Sequence, residues 1–191
     1  MKLMTLSRTF LAIAFAIACF PAIAGDKKFL SSDDGKEKED PQDFLKDYDK
    51  LVKGKEADWV YFAPDFNPKS VKTVTIKDFK ASKGSHGKGI AEDGKEYVET
   101  WIDKQGLDWK VVPSGGDLTI EGNIANSWEP SGGARFWGGW MANPGACVEL
   151  MAKSHGGEIA FEMRQKSRGS TGTDALENSI EKMLEEVKKR R

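Results

Sequence analysis

Leu118-Thr119-Ile120-Glu121-Gly122-Asn123-Ile124-Ala125-Asn126-Ser127-Trp128-Glu129 is the stretch whose alternation decides the fold. Leu118, Ile120, Gly122, Ile124, Asn126 and Trp128 share one parity, and Thr119, Glu121, Asn123, Ser127 and Glu129 share the other. That period of two is a strand with one mostly dry face and one wet face. Two further strand-like runs follow, Arg135 to Ser154 and Glu158 to Ser167, after Gly-rich turns at Ser131-Gly132-Gly133 and His155-Gly156-Gly157. An antiparallel meander over residues 117–169 is the simplest arrangement of the three.

Working outward, Trp109 to Val112 reads as a short strand before the turn Pro113-Ser114-Gly115-Gly116. Tyr97, Val98, Trp101 and Ile102 mark one face of a helix over Glu92–Gln105, with Gly106 placed to stop it. Val71, Val74, Ile76 and Phe79 mark a strand from Ser70 to Lys80, and Phe44, Leu45, Tyr48, Leu51 and Val52 mark a short amphipathic helix over 42–53. Leu176, Ile180, Met183, Leu184 and Val187 form the stripe of a last helix, with Asp174 as its cap and Glu177 at capping-box spacing. The expected fold is α+β: a single, mostly antiparallel sheet with two main helices packed on one face, in the order strand-helix-strands-helix.

At 191 residues, 39% hydrophobic and 31% charged, the chain holds one domain with a real core and has room for appendages. Residues 1–24 read as a signal peptide: Lys2 and Arg8 start it, Phe10 to Phe20 is continuously apolar, and Ala22-Ile23-Ala24 precedes Gly25 as a peptidase would require. Ala16-Ile17-Ala18-Cys19 offers a competing lipobox-like cut, which would leave Cys19 lipidated. Residues 25–41 are dense in charge and read as a flexible linker, and residues 42–191 form the single α+β domain. Removing residues 1–24 takes away two bases and no acids, so the net charge moves from −1 to −3. Charge this balanced gives no footprint for nucleic acid. A cut after Ala24 also leaves Cys147 as the sole cysteine, so no disulfide within the chain is expected.

The signature Phe44-Leu45-Lys46-Asp47-Tyr48-Asp49-Lys50-Leu51, followed by Tyr61-Phe62-Ala63-Pro64, resembles the opening of a family of Gram-negative envelope proteins, predicted lipoproteins of unknown function. Gly122 to Gly133, followed by Arg135-Phe136 and a Gly-rich strand, is similar to a related family with an arginine before a glycine-rich run. The resemblance implies an exported α+β domain, periplasmic or tethered to the outer membrane through Cys19. It brings no catalytic residues.

Sites of chemistry are sparse. Gly89-Ile90-Ala91-Glu92-Asp93-Gly94-Lys95 has phosphate-loop spacing, but Glu96 stands where the magnesium-binding hydroxyl belongs. His155-Gly156-Gly157 lacks the nucleophile elbow that an oxyanion loop serves. His86 and His155 are the only histidines, each in a Gly-rich loop, and Cys147 lies in an apolar strand without a local histidine. No catalytic, cofactor or metal residue is assigned. The most unusual composition is Gly132 to Met141, where Arg135, Trp137 and Met141 point one way along a strand and Phe136 and Trp140 the other. Either residues 43–66 cover its second side, or Arg135, Phe136, Trp137, Trp140 and Met141 form an interaction surface. The expected function is a non-enzymatic interaction or assembly module of the cell envelope, binding an envelope protein or itself. The alternative is a small-ligand binder or enzyme using the Gly-rich cleft near Cys147 and His155.

Overall fold

The computed structural model describes residues 30–33, 36–83, 85, 87–129 and 143–190. The aromatic segment with Arg135, Phe136, Trp137, Trp140 and Met141 lies outside these residues, as does His86. The strands are β1 (Leu30–Asp33), β2 (Lys36–Glu39), β3 (Val52–Lys53), β4 (Trp59–Phe62), β5 (Thr73–Ile76) and β6 (Lys80–Ala81), then β7 (Lys110–Val111), β8 (Leu118–Trp128), β9 (Gly145–Ser154) and β10 (Ile159–Arg168). The helices are α1 (Lys88–Ala91), α2 (Gly94–Lys104) and α3 (Gly172–Lys189). β1 and β2 pair with each other as an antiparallel hairpin inside the stretch read as linker. The main sheet runs β3-β4-β10-β9-β8-β5-β7, with β6 also on β8.

The fold is α+β, and the meander β8-β9-β10 is antiparallel throughout. The sheet as a whole is mixed, not mostly antiparallel: β5 and β6 run parallel to β8, and β7 runs parallel to β5. The reason is the connection. Between β5 and β7 the chain passes through α1 and α2, and a helical crossover returns a strand in the direction it left, whereas a tight turn reverses it. Four strands of the sheet precede the first helix, so the expected order strand-helix-strands-helix does not hold either.

The expected strand Ser70 to Lys80 is two pieces along one edge of β8, broken at residues 77–79. The N–H groups of Lys77 and Ser82 still reach Ile120 and Ile124 of β8, at 2.9 and 3.0 Å. The break lets Phe79 turn inward, where its ring lies against two glycines. A Cβ on Gly122 would sit 2.2 Å from a ring carbon of Phe79, and one on Gly94 would sit 2.3 Å from another. Gly122 is therefore the seat that joins the sheet edge to the start of α2.

A bulge corrects the parity of β8. Ile124 pairs with Val148, and the next pair is Asn126 with Cys147, leaving Ala125 as the extra residue. Residues beyond it change face. Asn126 and Trp128 therefore lie on the side opposite Ile120 and Ile124.

On one face of the sheet α2 and α3 pack over Leu118, Ile120, Ile124, Val148, Leu150, Phe161 and Met163. The stripe Leu176, Ile180, Met183, Leu184 and Val187 of α3 is wholly buried there, as its spacing predicts. The cap is Thr171 and not Asp174: the Thr171 side chain accepts from the Asp174 N–H, and the Asp174 carboxylate accepts from the Thr171 N–H. Asp174 is thus the returning arm of the capping box, and the helix starts three residues earlier than expected.

The other face is covered by residues 40–51. Over 42–53 the expected helix is reduced to a single 3₁₀ turn, Tyr48–Lys50. The N–H groups of Phe44 and Leu45 donate to the Tyr48 hydroxyl, each at 3.3 Å, so a side chain takes donors that an early helical turn leaves open. Leu45, Leu51 and Met151 form a small second core, bordered by Phe44, Tyr48, Trp59, Tyr61 and Ile159.

Gly122→Ala should cost about 1–3 kcal/mol by overpacking, and Phe79→Ala about 3–5 kcal/mol through the cavity it leaves. The double variant should be more stable than the two costs predict together, because the clash needs both groups. Urea unfolding of the four proteins measures the coupling, and simple additivity would contradict the packing described.

Candidate functional site

Two polar assemblies stand out, one inside the protein and one on its surface. The inner one lies between the sheet and residues 40–51. Arg164 of β10 is 2% exposed, opposite Glu149 of β9, which is fully buried. The Arg164 guanidinium donates to the Glu149 carboxylate at 2.5 Å and to the Pro41 carbonyl at 3.1 Å, and it lies 3.5 Å from the Asp40 carboxylate. Glu149 also accepts from the Tyr48 hydroxyl at 2.7 Å and from the Asn123 amide at 2.9 Å. Asn123 continues to Ser82, whose hydroxyl donates to Asp43 at 2.7 Å. Burial pushes the Glu149 carboxyl above its usual range, opposed by Arg164, Asn123 and Tyr48. Burial and the Glu149 charge likewise raise the Tyr48 phenol.

These groups pair with one another across a buried face. Their work is attachment: they hold the segment that starts at Asp40 against strands more than a hundred residues away. Sequence reasoning passed over Glu149 and Arg164, although a signal existed. A charged residue between Val148 and Leu150 of a core strand needs a partner, and the strand register supplies one.

Cys147 lies on the same buried face. It is 1% exposed, and burial pushes its thiol up to about 12, so it is protonated at neutral pH. His155 is exposed in the turn after β9, where its N–H donates to the Asp117 carbonyl. Eight residues of extended strand put the two roughly 26 Å apart. The structure does not bring them together as one cleft, and Gly157 at φ 85° serves the turn between β9 and β10. The residues of the phosphate-loop-like spacing, Gly89 to Lys95, belong to α1 and the start of α2, and Gly94 is buried against Phe79. Among the described residues no cluster of three metal-ligating side chains occurs, and no helix is long and apolar enough to cross a membrane.

The surface assembly is a cleft of about 500 Å³ where β3, β4 and the end of α3 meet. It is built by the clamp of Glu186 on the β3–β4 turn. The Glu186 carboxylate accepts from the backbone N–H groups of Lys55, Glu56 and Ala57, at 2.9, 2.6 and 3.3 Å. Gly54 lets this turn close: a Cβ there would fall 2.4 Å from the Ala57 carbonyl. The clamp leaves Lys50, Lys53, Lys55, Lys189 and Arg190 around the opening, with Glu186 as the one acid in the lining. Three of the cations are placed against rings. Lys50 lies 5.9 Å from the centroid of Tyr61, Lys53 lies 5.7 Å from that of Trp59, and the Arg190 guanidinium lies 4.6 Å from that of Phe62. Nothing in the linear sequence points here, because the cations come from two stretches separated by more than a hundred residues.

No family model matches the chain, and no curated protein matches it. Among solved structures, the PelC dodecamer from Paraburkholderia phytofirmans in space group P6 is 10% identical, with a TM-score of 0.49 over 68% of this chain and 94% of that chain. A single-residue variant of that dodecamer in space group C2 is 13% identical, with a TM-score of 0.48 over the same shares.

Removing one member of the inner pair should be severe. Arg164→Met leaves Glu149 and Asp40 buried without their cation and should cost about 3–5 kcal/mol in denaturant unfolding. Arg164→Met combined with Glu149→Leu should recover most of that loss; a double variant as unstable as the single one would refute the pairing. Cys147 should resist iodoacetamide in the native protein and react once guanidinium unfolds it, and rapid native labelling would show that the face is open.

Proposed function

We propose that this chain is an exported, non-enzymatic interaction module of the cell envelope, making its contact at the cleft between β3 and the end of α3. The observation that carries the reading is the collection of five cations around one opening, lined by a single acid whose carboxylate already accepts three backbone N–H groups. A cleft of this kind recognises charge without needing a nucleophile or a general base. The export reading is supported by the basic start, apolar run and small-residue cut site of residues 1–24, and by the resemblance of Phe44 to Leu51 to Gram-negative envelope proteins. On this reading the protein works in the periplasm, or at the outer membrane if Cys19 is lipidated. The aromatic segment Arg135 to Met141 remains a second proposed contact, with an envelope protein or a second copy as its partner.

Address and contact can be tested together. A photoreactive residue at position 52, beside the cleft, should give discrete cross-linked adducts in the envelope fraction of cells making the full chain. The same residue at position 182, on α3, should give none. Recovery of the unprocessed chain in the cytosol would end the export reading. Adducts absent from position 52, or equal at both positions, would end the contact reading.

A further inference from the structure

We infer that residues 40–51 are a releasable strap, which lifts from the sheet as one unit while the helix-covered half stays folded. Its release uncovers a row of charged and polar side chains that the closed protein keeps from water. The way the strap is tied is the first reason. Among the described residues its backbone-to-backbone hydrogen bonds stay inside it, from Lys50 to Asp47 and from Leu51 to Tyr48. The bonds that join it to the rest of the domain run through side chains: Asp40 with Arg164 and Asn126, Asp43 with Ser82, the Lys46 N–H with Glu162, and Tyr48 with Glu149. A strap held this way leaves without breaking a strand ladder.

Separate cores are the second reason. The large core under α2 and α3 contains no residue of the strap, whereas Leu45 and Leu51 form the small second core with Met151. Loss of the strap leaves the larger core whole, which is the condition for one part of a protein to open by itself. The third reason is what lies beneath. Asn123, Glu149, Glu162 and Arg164 are each 2% exposed or less. Burying such charges costs hydration that their pairing only partly returns, and opening restores it. The apolar contact given up is chiefly that of Leu45 and Leu51, small beside the fully buried stripe of α3. The far end of the movement is also set, because Glu186 holds the N–H groups of residues 55–57 and pins the chain just beyond β3. Cys147 reports on the near end. Asp40 reaches Asn126 of β8 at 3.0 Å and Arg164 of β10 at 3.5 Å, and so lies across β9 beside Cys147.

The test follows the chain as recovered from cells in rising urea. Iodoacetamide labelling is read by mass spectrometry of the peptide that holds Cys147, hydrogen exchange is read at residues 44–46, and tryptophan fluorescence gives global unfolding. Labelling should be slow without urea, hardly change at low urea, and stay above the rate that global unfolding allows until the two merge near the transition. Exchange at residues 44–46 should take the same course. Tyr48→Phe removes the hydroxyl that receives the N–H groups of Phe44 and Leu45 and donates to Glu149, and should speed low-urea labelling roughly tenfold. Phe79→Ala, on the helix side, should lower the urea midpoint and leave low-urea labelling as it was; if it fails to fold, Ile180→Val takes its place. Three results overturn the inference: labelling that tracks global unfolding at every urea concentration, exchange at residues 44–46 without labelling at Cys147, or a helix-side variant that speeds labelling as much as Tyr48→Phe.

Discussion

Arg164 is a guanidinium placed on the covered face of a sheet, and much of the molecule follows from keeping it neutralised. Glu149 opposes it at 2.5 Å, but one carboxylate cannot meet all the donors of a buried guanidinium. The Asp40 carboxylate, 3.5 Å away, and the Pro41 carbonyl add to the shell, and both belong to the start of the covering segment. A charge on β10 thereby dictates where the chain enters the domain. The same requirement keeps the segment extended, because Tyr48 must stand over Glu149 and its hydroxyl receives the N–H groups of Phe44 and Leu45. The path then delivers Lys50 and β3 to the sheet edge, which is one wall of the cleft.

The opposite wall depends on a second buried acid. Glu186 extends from the end of α3 into the β3–β4 turn, and its three N–H contacts fix Lys55 beside Lys189 and Arg190. One carboxylate thus gathers cations from both ends of the folded chain. Each face of the sheet is closed by a different device. Apolar helices cover one through the Leu176 to Val187 stripe, and an ion-paired segment covers the other.

Much of the fold was legible along the chain. The meander, α2 with its stop at Gly106, and the stripe of α3 followed from periods of two and 3.6, because each buries a continuous face whose repeat is written in neighbouring residues. The bulge at Ala125 was not legible: an extra residue leaves the alternation of residue types readable while inverting the faces beyond it. The parallel edge was hidden for a similar reason, since β5, β6 and β7 are short and their direction is set by the crossover through α2. Of the polar assemblies, Glu149 and Arg164 could have been suspected as charges inside apolar strands. Their partners Asp40 and Tyr48 sit in a charged stretch that reads as linker and helix.

Taken by itself, the sequence determined the α+β class, the antiparallel meander and the two long helices. These rest on local periodicity and composition, which need no knowledge of distant contacts. Tertiary structure alone decided the mixed sheet, the covering of its second face by residues 40–51, and the gathering of Lys50, Lys53 and Lys55 with Lys189 and Arg190. Each of these joins residues separated by long stretches of chain, and such pairings are chosen by the burial of charge and the closure of the sheet, which no local pattern records.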